Sequence, residues 1–372
     1  MKTLCRVSTL AVLFILTILI PAKNAPCDSQ QNKVKFQREI SKIDVKNGTP
    51  NHPHWTLDDK EVIYFTRLNK RGYTLWHLSP TTLEAKSYSS KIPSSIISPD
   101  GKTVTYITNH QLHIASIASG EPAEFALPSD FHTNADTYSL NWSPNGRYLA
   151  LYSVAAFTTR VWLFDFHAKS FSKVTDVANT SSEAPDPHSY NYLTAWSPDS
   201  QSILMPVFSN ERVDYLIIGL HKFNTRRIEG MQGVSFAEPS WTAKNYISWY
   251  GYAKSKKETK SDSADFSGIY IANASTGKMT NIDFSNIASA WYPVLSPDAR
   301  WIVFYAKDVK NKLKLMMTDV EGSFVEVLDE SISPGQAPRW SHDSRRIVYN
   351  KLLDSGAITL GLITISPSNE SK

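Results

Sequence analysis

Histidine is the residue type whose spacing first suggests chemistry in this chain, because pairs of imidazoles bind metal ions. Two pairs lie close together in the sequence, His52 with His54 and His110 with His113. Either pair would supply two ligands if it lay on one side of a strand or turn. The ten histidines match no compact metal motif, and two neighbouring surface histidines are more often solvated than ligating. We therefore predict no metal, no cofactor and no catalytic residue.

A second set of candidate groups consists of aspartates at one position of a repeated segment. They are Asp58, Asp100, Asp199, Asp298 and Asp343. Equivalent positions in so many segments cannot all be active sites, and aspartate in a tight turn bonds to its own backbone. The pattern therefore predicts aspartates that cap turns. The tryptophans that open several segments, including Trp142, Trp196 and Trp340, are predicted to pack between structural units.

These aspartates belong to seven segments that align with one another. The segments begin at Trp55, Ile97, Trp142, Trp196, Trp241, Leu295 and Trp340. Successive starts are 42, 45, 54, 45, 54 and 45 residues apart, which is the length of one four-stranded propeller blade. A Ser-Pro-Asp-Gly-type turn and an alternating apolar run follow each start, although the fifth segment lacks that turn. The sequence predicts an all-β fold, a β-propeller of seven four-stranded blades, with six or eight as alternatives.

An outer strand is predicted between successive segments, and the last segment has none after it. The six outer strands are predicted at 85–90, 122–127, 171–175, 225–229, 278–284 and 324–328. Residues 34–45 precede the first segment and have no other assignment. We predict that they pair with the C-terminal blade and close the ring, because an unpaired strand edge would otherwise be exposed.

The N-terminus has the parts of a signal peptide, with Lys2 and Arg6 before an apolar run over 7–20 and small residues after it. We predict a signal peptide at 1–25, a linker at 26–32, a single propeller domain at 33–366 and a polar tail at 367–372. The apolar run is short for a bilayer span, and an uncleaved membrane tether is the alternative. Cleavage leaves Cys27 as the single thiol, so no intramolecular disulfide is expected.

The WSPDG-type turn, followed by a basic residue and an alternating strand, resembles the WD40-like, PD40-type repeat of TolB and its relatives. The resemblance covers residues 55–365. It implies a β-propeller exported to the periplasm, and it suggests an envelope lipoprotein as the partner. TolB has an α/β domain before a six-bladed propeller, whereas about 30 residues separate the signal from the first segment here. The partner of TolB therefore transfers to this chain only by analogy.

Two classes of enzyme contain similar propellers. Prolyl peptidases add an α/β-hydrolase domain with a G-x-S-x-G motif, which this sequence lacks, so no peptidase activity is expected. Oligogalacturonate lyases look like seven-bladed propellers with a metal held by histidines. A polysaccharide or oligosaccharide lyase or hydrolase, with its site in the mouth of the ring, is therefore the alternative function.

Two of the intervals between segments are longer than the others. The excess lies at 179–193, between an outer strand and the next segment, and at 254–266, between the central strands of one blade. In a propeller these connections leave the same face, which suggests a surface that faces a partner. Asp186, His188, Tyr190 and Tyr192 in the first connection mix charge with aromatic rings, as interface centres do. A tolerated surface insertion is the alternative explanation.

The predicted function is a non-catalytic scaffold, periplasmic or secreted, that binds a protein partner through this face. The formal net charge of +4 gives no reason to expect nucleic acid. Contact with a membrane is expected only through the N-terminal segment, and the protein is expected to be a monomer.

Overall fold

The structure, a computed structural model, describes residues 36–43, 45, 48–67, 72–92, 96–118, 122–132, 138–155, 158–178, 194–208, 213–228, 239–252, 266–282, 284 and 286–367. The regular secondary structure in these ranges consists of β-strands. None of the described residues forms an apolar helix of membrane-spanning length. The predicted signal peptide and linker lie outside these ranges.

The strands form seven antiparallel sheets of four strands. The innermost strands are β2 (Pro50–Trp55), β6 (Ile96–Ile97), β10 (Tyr138–Trp142), β14 (Ala195–Trp196), β18 (Ser240–Trp241), β22 (Ile287–Leu295) and β26 (Arg339–Trp340). The second strands are β3 (Val62–Arg67), β7 (Thr103–Thr108), β11 (Tyr148–Ala155), β15 (Ser202–Phe208), β19 (Tyr246–Tyr252), β23 (Trp301–Asp308) and β27 (Arg346–Leu352). The third strands are β4 (Tyr73–Leu78), β8 (Gln111–Ser116), β12 (Thr158–Asp165), β16 (Val213–Gly219), β20 (Phe266–Asn273), β24 (Leu313–Asp319) and β28 (Ile358–Pro367). The outer strands are β5 (Ala85–Ile92), β9 (Pro122–Ala126), β13 (Ser170–Ala178), β17 (Thr225–Ile228), β21 (Met279–Ile282), β25 (Val325–Asp329) and β1 (Phe36–Ile43).

Blades 1 to 6 each take four consecutive strands, starting at β2, whereas blade 7 contains β26, β27, β28 and β1. This confirms the seven-bladed prediction and the six predicted outer strands. The N-terminal strand β1 pairs antiparallel with β28, from Phe36 opposite Pro367 to Ile43 opposite Leu360. The Thr359 hydroxyl also donates to the Ile43 carbonyl. The prediction that the N-terminal segment closes the ring is therefore confirmed.

The strands of each blade run alternately up and down, so the connections leave two faces of the ring. The turn face carries the connections from first to second and from third to outer strands. The insertion face carries those from second to third strands and from each outer strand to the next blade. Both long connections, from β13 to β14 and from β19 to β20, leave the insertion face. This confirms the prediction that they share a face.

The recurring aspartates cap turns on the turn face, as predicted. Each carboxylate accepts a hydrogen bond from the hydroxyl two residues earlier, at 2.5–2.8 Å, and from a backbone N–H two residues later, at 2.9–3.2 Å. These residues are Asp58, Asp100, Asp199, Asp298 and Asp343. All of these bonds are local, which explains why the turn could be recognised from the sequence.

Tryptophans at the segment starts join neighbouring blades, as predicted. The indole N–H of Trp196 donates to the Asn141 carbonyl of the preceding blade at 3.2 Å, and that of Trp340 donates to the Val294 carbonyl at 3.0 Å. Trp142 is buried in a cluster that includes Ile107 and Leu112 of the preceding blade. The fully or nearly fully buried side chains lie between blades, and each large apolar group there contributes roughly 1.5–3 kcal/mol by leaving water.

Blades 7 and 1 are also joined on the turn face. The Asp59 carboxylate accepts from the backbone N–H groups of His342 and Asp343, each at 2.8 Å. The Arg346 guanidinium donates to the Asp59 carbonyl at 2.9 Å and lies over the Trp55 ring at 4.6 Å. Polar contacts on this face thus add to the strand pairing that closes the ring.

Candidate functional site

The insertion face is the candidate site because both long connections leave it. The residues predicted to bind a partner, Asp186, His188, Tyr190 and Tyr192, lie in the stretch 179–193, outside the described residues. Most of the second connection, 253–265, lies outside them as well. The partner-binding role of these four side chains therefore stays a prediction.

A group of ion pairs lies where the first long connection begins, at the end of β13. Lys173 contacts Asp130 and Asp176, each at 2.9 Å. Arg160, which is paired with Asp176 across the sheet, lies 3.8 Å from Asp130 and 4.0 Å from Asp176. Hydrogen bonds to Asp176 and Asp130 raise the pKa of Lys173. Asp130 precedes blade 3 in the chain. These contacts therefore link the start of the first long connection to the junction between blades 2 and 3.

The mouth of the ring on the insertion face contains two backbone irregularities at equivalent positions. His52 in β2 and Tyr292 in β22 have φ angles of 50° and 53°, and a proline follows each. Strand pairing is interrupted at both places. Positive φ is unusual for residues this large and costs about 1–3 kcal/mol, and such outliers cluster at functional sites. Each residue stands three positions before its segment start, Trp55 or Leu295.

These two positions were not predicted, although the sequence carries a signal for them. Proline stands two residues before the segment start in four blades that are neighbours around the ring. The four stretches are EPSW at 238–241, YPVL at 292–295, APRW at 337–340 and HPHW at 52–55. Aligning the residues that precede each start would have identified blades 5, 6, 7 and 1 as different from blades 2, 3 and 4.

Buried aromatic rings of blades 5 and 6 lie beside Tyr292. The Tyr292 ring lies edge-on to Tyr250 of blade 5 and to Tyr305, with centroids 6.5 and 6.3 Å away. Arg339 of blade 7 acts electrostatically on Tyr305 and on His54 of blade 1. Burial raises the pKa of Tyr305, so its hydroxyl stays protonated.

Gln336 joins blade 7 to blade 1 beside these groups. Its side-chain carbonyl accepts from the His52 backbone N–H at 2.5 Å, and its amide donates to the Asn51 side chain at 3.0 Å. Between the same two blades, the side-chain amide of Asn350 donates to the Pro50 carbonyl at 3.4 Å. These bonds hold the irregular segment around His52 in place.

His54 is held as a neutral imidazole. Burial lowers its pKa to about 4, and the positive charge of Arg339 acts in the same direction. Its Nδ1 lies 3.3 Å from the His52 carbonyl, which identifies Nδ1 as the protonated nitrogen. In the second pair considered from the sequence, His113 is buried and stacks on Tyr106 with ring centroids 4.7 Å apart, while His110 lies in the preceding turn.

Residues 131–372, more than half of the chain, match the family model described as TolB beta propeller domain. No curated protein matches the sequence.

Among solved structures, the chain is similar to an oligogalacturonate lyase in complex with manganese. The TM-score is 0.61 at 12% identity, over 90% of this chain and 99% of the other. The oligogalacturonate lyase from Vibrio parahaemolyticus gives a TM-score of 0.58 at 11% identity, over 90% and 98% of the two chains. TolB from Acinetobacter baumannii gives 0.47 at 14% identity, over 81% and 78%. At such identities these similarities concern the fold.

Proposed function

The chain belongs to the TolB beta propeller family, and on this premise we propose that it is an exported, non-catalytic scaffold that binds a protein partner through its insertion face. The cell envelope is the proposed location, in the periplasm or as a secreted protein, with an N-terminal membrane tether as the alternative. An envelope lipoprotein is the partner class suggested by the resemblance to TolB.

The observation that carries this proposal is that both long connections leave one face of the ring. Exposed apolar side chains on the same face support it. Val309, between β23 and β24, is 65% exposed, and Leu352, at the end of β27, is 40% exposed. They lie on adjacent blades, 6 and 7.

The proposal is tested by cross-linking in the native cell envelope, followed by identification of the captured proteins. Deleting residues 181–190, or introducing Val309→Asp with Leu352→Asp, should remove a defined partner that the unchanged chain captures. Lys102→Glu, an exposed change on the turn face, is the control and should leave capture intact. An identical set of partners for the deletion and the unchanged chain would contradict the proposed face.

A second candidate function, an oligosaccharide lyase or hydrolase acting in the mouth, is favoured by the strained positions of His52 and Tyr292. One similar lyase structure contains manganese. Among the residues that the structure describes, no three His, Cys, Asp or Glu side chains are grouped as metal ligands. The described residues therefore do not fit such a site. Elemental analysis together with turnover assays on oligosaccharides distinguishes this candidate from the scaffold.

A further inference from the structure

Blades 6 and 7 are joined at the insertion face by hydrogen bonds as well as by packing. At the end of β25, the Asp329 carboxylate of blade 6 accepts from Tyr349 and Lys351 of blade 7, the latter at 2.5 Å. The connection that follows β25 then pairs with β27, because the Ser331 carbonyl accepts from the Leu352 backbone N–H at 3.0 Å. The ends of β25 and β27 are therefore held at a fixed spacing.

The same two blades are bonded farther down the ring. The indole N–H of Trp340 donates to the Val294 carbonyl at 3.0 Å, and on the turn face the Asp298 backbone N–H donates to the Ser344 hydroxyl at 3.1 Å. By contrast, the buried indole N–H of Trp142, which starts blade 3, bonds to no other residue that the structure describes. Blades 6 and 7 thus form a preorganised support, which lowers the cost of binding a ligand across them.

The acidic side chains at this end of blade 6 are paired with a lysine. Asp308, at the end of β23, and Glu330 both contact Lys314, each at 3.2 Å. The Asp308 carboxylate also accepts from the backbone N–H groups of Lys310 and Lys312, at 2.8 and 2.9 Å. These bonds leave the Asp308 side chain only 18% exposed. Its negative charge is therefore neutralised within the hairpin and does not face a partner.

The hairpin between β23 and β24 presents positive charge and an apolar group to solvent. Lys310 and Lys312 are exposed, and neither ammonium group forms an ion pair within the described part of the chain. Val309 beside them is 65% exposed, and Leu352 of blade 7 is 40% exposed. Asp354, in the hairpin of blade 7, is exposed as well, so the two lysines exceed the acid by one charge. We call the surface formed by Val309, Lys310, Lys312 and Leu352 the blade 6–7 platform.

We propose that the blade 6–7 platform binds an acidic segment of the protein partner. This inference rests on the proposed function and names the chemistry by which the partner is recognised. Carboxylates of the segment pair with Lys310 and Lys312, while its apolar residues pack on Val309 and Leu352. Opposite charges across an interface speed association and exclude partners of like charge. Apolar groups bordered by polar ones are the usual arrangement of a protein interface.

Isothermal titration calorimetry with two peptides tests this at about 10 mM ionic strength, where exposed charges are little screened. One probe is acetyl-Leu-Glu-Glu-Leu-Glu-Glu-amide, and in the other glutamine replaces each glutamate. The unchanged protein should bind the acidic peptide about fivefold more tightly, as two exposed ion pairs allow. The preference should disappear at about 1 M salt.

A charge-neutralising variant and a matched control assign the preference to the platform. Lys310→Gln with Lys312→Gln should remove it. Lys102→Gln with Lys278→Gln takes two exposed lysines from the turn face instead, and it should leave the preference unchanged.

Two further variants separate charge from apolar contact. Asp354→Asn removes the competing acid and should increase the preference for the acidic peptide. Val309→Ser with Leu352→Ser should weaken the binding of both peptides and leave the preference between them.

Equal affinity for the two peptides, or a preference that survives Lys310→Gln with Lys312→Gln, would overturn the proposal. Vesicles of phosphatidylglycerol serve as a third probe. Binding to these vesicles that depends on the two lysines, without a preference between the peptides, would also overturn it.

The outcomes separate from those of the proposed function. If Val309→Asp with Leu352→Asp removes the cross-linked partner but the peptides bind equally, the acidic segment is wrong and the scaffold stands. If the acidic peptide is preferred but no partner is captured, the platform stands and the scaffold is wrong.

Discussion

The turn face and the insertion face are built from the same seven units, yet the units resemble one another more closely on the turn face. On the turn face, five aspartates accept the same two local hydrogen bonds. On the insertion face, two connections are longer than the rest. Positive φ angles occur in turns of both faces, whereas those of His52 and Tyr292 lie within inner strands. Repetition therefore maintains the ring, and the two longest departures from it lie on the insertion face.

The difference has an energetic cause. A capped turn stabilises the folded chain wherever it occurs, so any unit benefits from keeping it. A tyrosine at positive φ destabilises its unit and persists only where the surrounding structure imposes it. Substitutions on the two faces should therefore change the stability of the protein differently. Four predictions test this difference, and the first concerns the closure of the ring on which both faces depend.

The largest effect is expected from deleting residues 33–46, which removes β1. The edge of β28 that includes Gly361 to Ser366 then has no strand to pair with. Blade 7 therefore cannot complete its sheet. Cooperative thermal unfolding, followed by circular dichroism and calorimetry, should disappear or move to a much lower temperature. A melting transition like that of the unchanged chain would refute ring closure by β1.

The next effect concerns packing inside blade 7. A Cβ added at Gly361 would lie 2.3 Å from the Tyr349 ring, whose hydroxyl donates to Asp329. Gly361→Ala should therefore reduce the free energy of unfolding by about 3 kcal/mol, measured by urea denaturation. Gly335→Ala is the matched control, because nothing lies within 4 Å of a Cβ at that position. Equal stability of the two variants would show that blade 7 is packed differently.

The third prediction concerns pH and the mouth. The pKa of His54 is about 4 in the folded protein and near 6.5 when unperturbed. Above pH 6.5 neither state binds the proton. As the pH falls from 6.5 towards 4, the unfolded chain binds it first, so the folded protein loses stability, by about 2 kcal/mol. His54→Gln should lack this loss in urea unfolding measured across the range, and parallel pH profiles would contradict the buried neutral imidazole.

The smallest effect is expected on the turn face at lower pH. Hydrogen bonds from Thr56 and Lys60 lower the pKa of Asp58 from 3.8 to about 2. Its contribution is complete above pH 3.8 and is lost as the pH falls through about 2. Asp58→Asn should flatten the pH dependence slightly in that window, because the group is exposed and well screened. Asp354→Asn, an exposed change on the insertion face, is the control, and an equal flattening there would remove the difference between the faces.

The two pH windows sharpen the comparison. The titration of His54 in the mouth should lower the stability of the protein between about pH 6.5 and 4. The titration of Asp58 on the turn face should lower it between about pH 4 and 2. If the losses overlap completely, the two faces are not electrostatically independent.

Much of the fold could be predicted because the sequence patterns that indicate it extend over only a few neighbouring residues. The turn bonds around Asp199 join residues two positions apart, and buried residues alternate along most of a strand such as Thr158–Asp165. The pairing of β1 with blade 7 could be predicted because the predicted outer strands left the last unit without one. The candidate residues Asp186, His188, Tyr190 and Tyr192 were chosen on spacing and composition alone. The irregular positions His52 and Tyr292 were not predicted, because the signal for them lies in the residues before each segment start.

The amino-acid sequence by itself determined the seven units, their capped turns and the need for an N-terminal strand, since each rests on local hydrogen bonds or on the pairing of strand edges. Only the tertiary structure decided which side chains meet in the mouth. Gln336 and His52 are 284 residues apart in the sequence, and they are hydrogen-bonded because the ring brings its last blade beside its first. The charge of Arg339 acts on His54 for the same reason, because closing the ring places blade 7 beside blade 1.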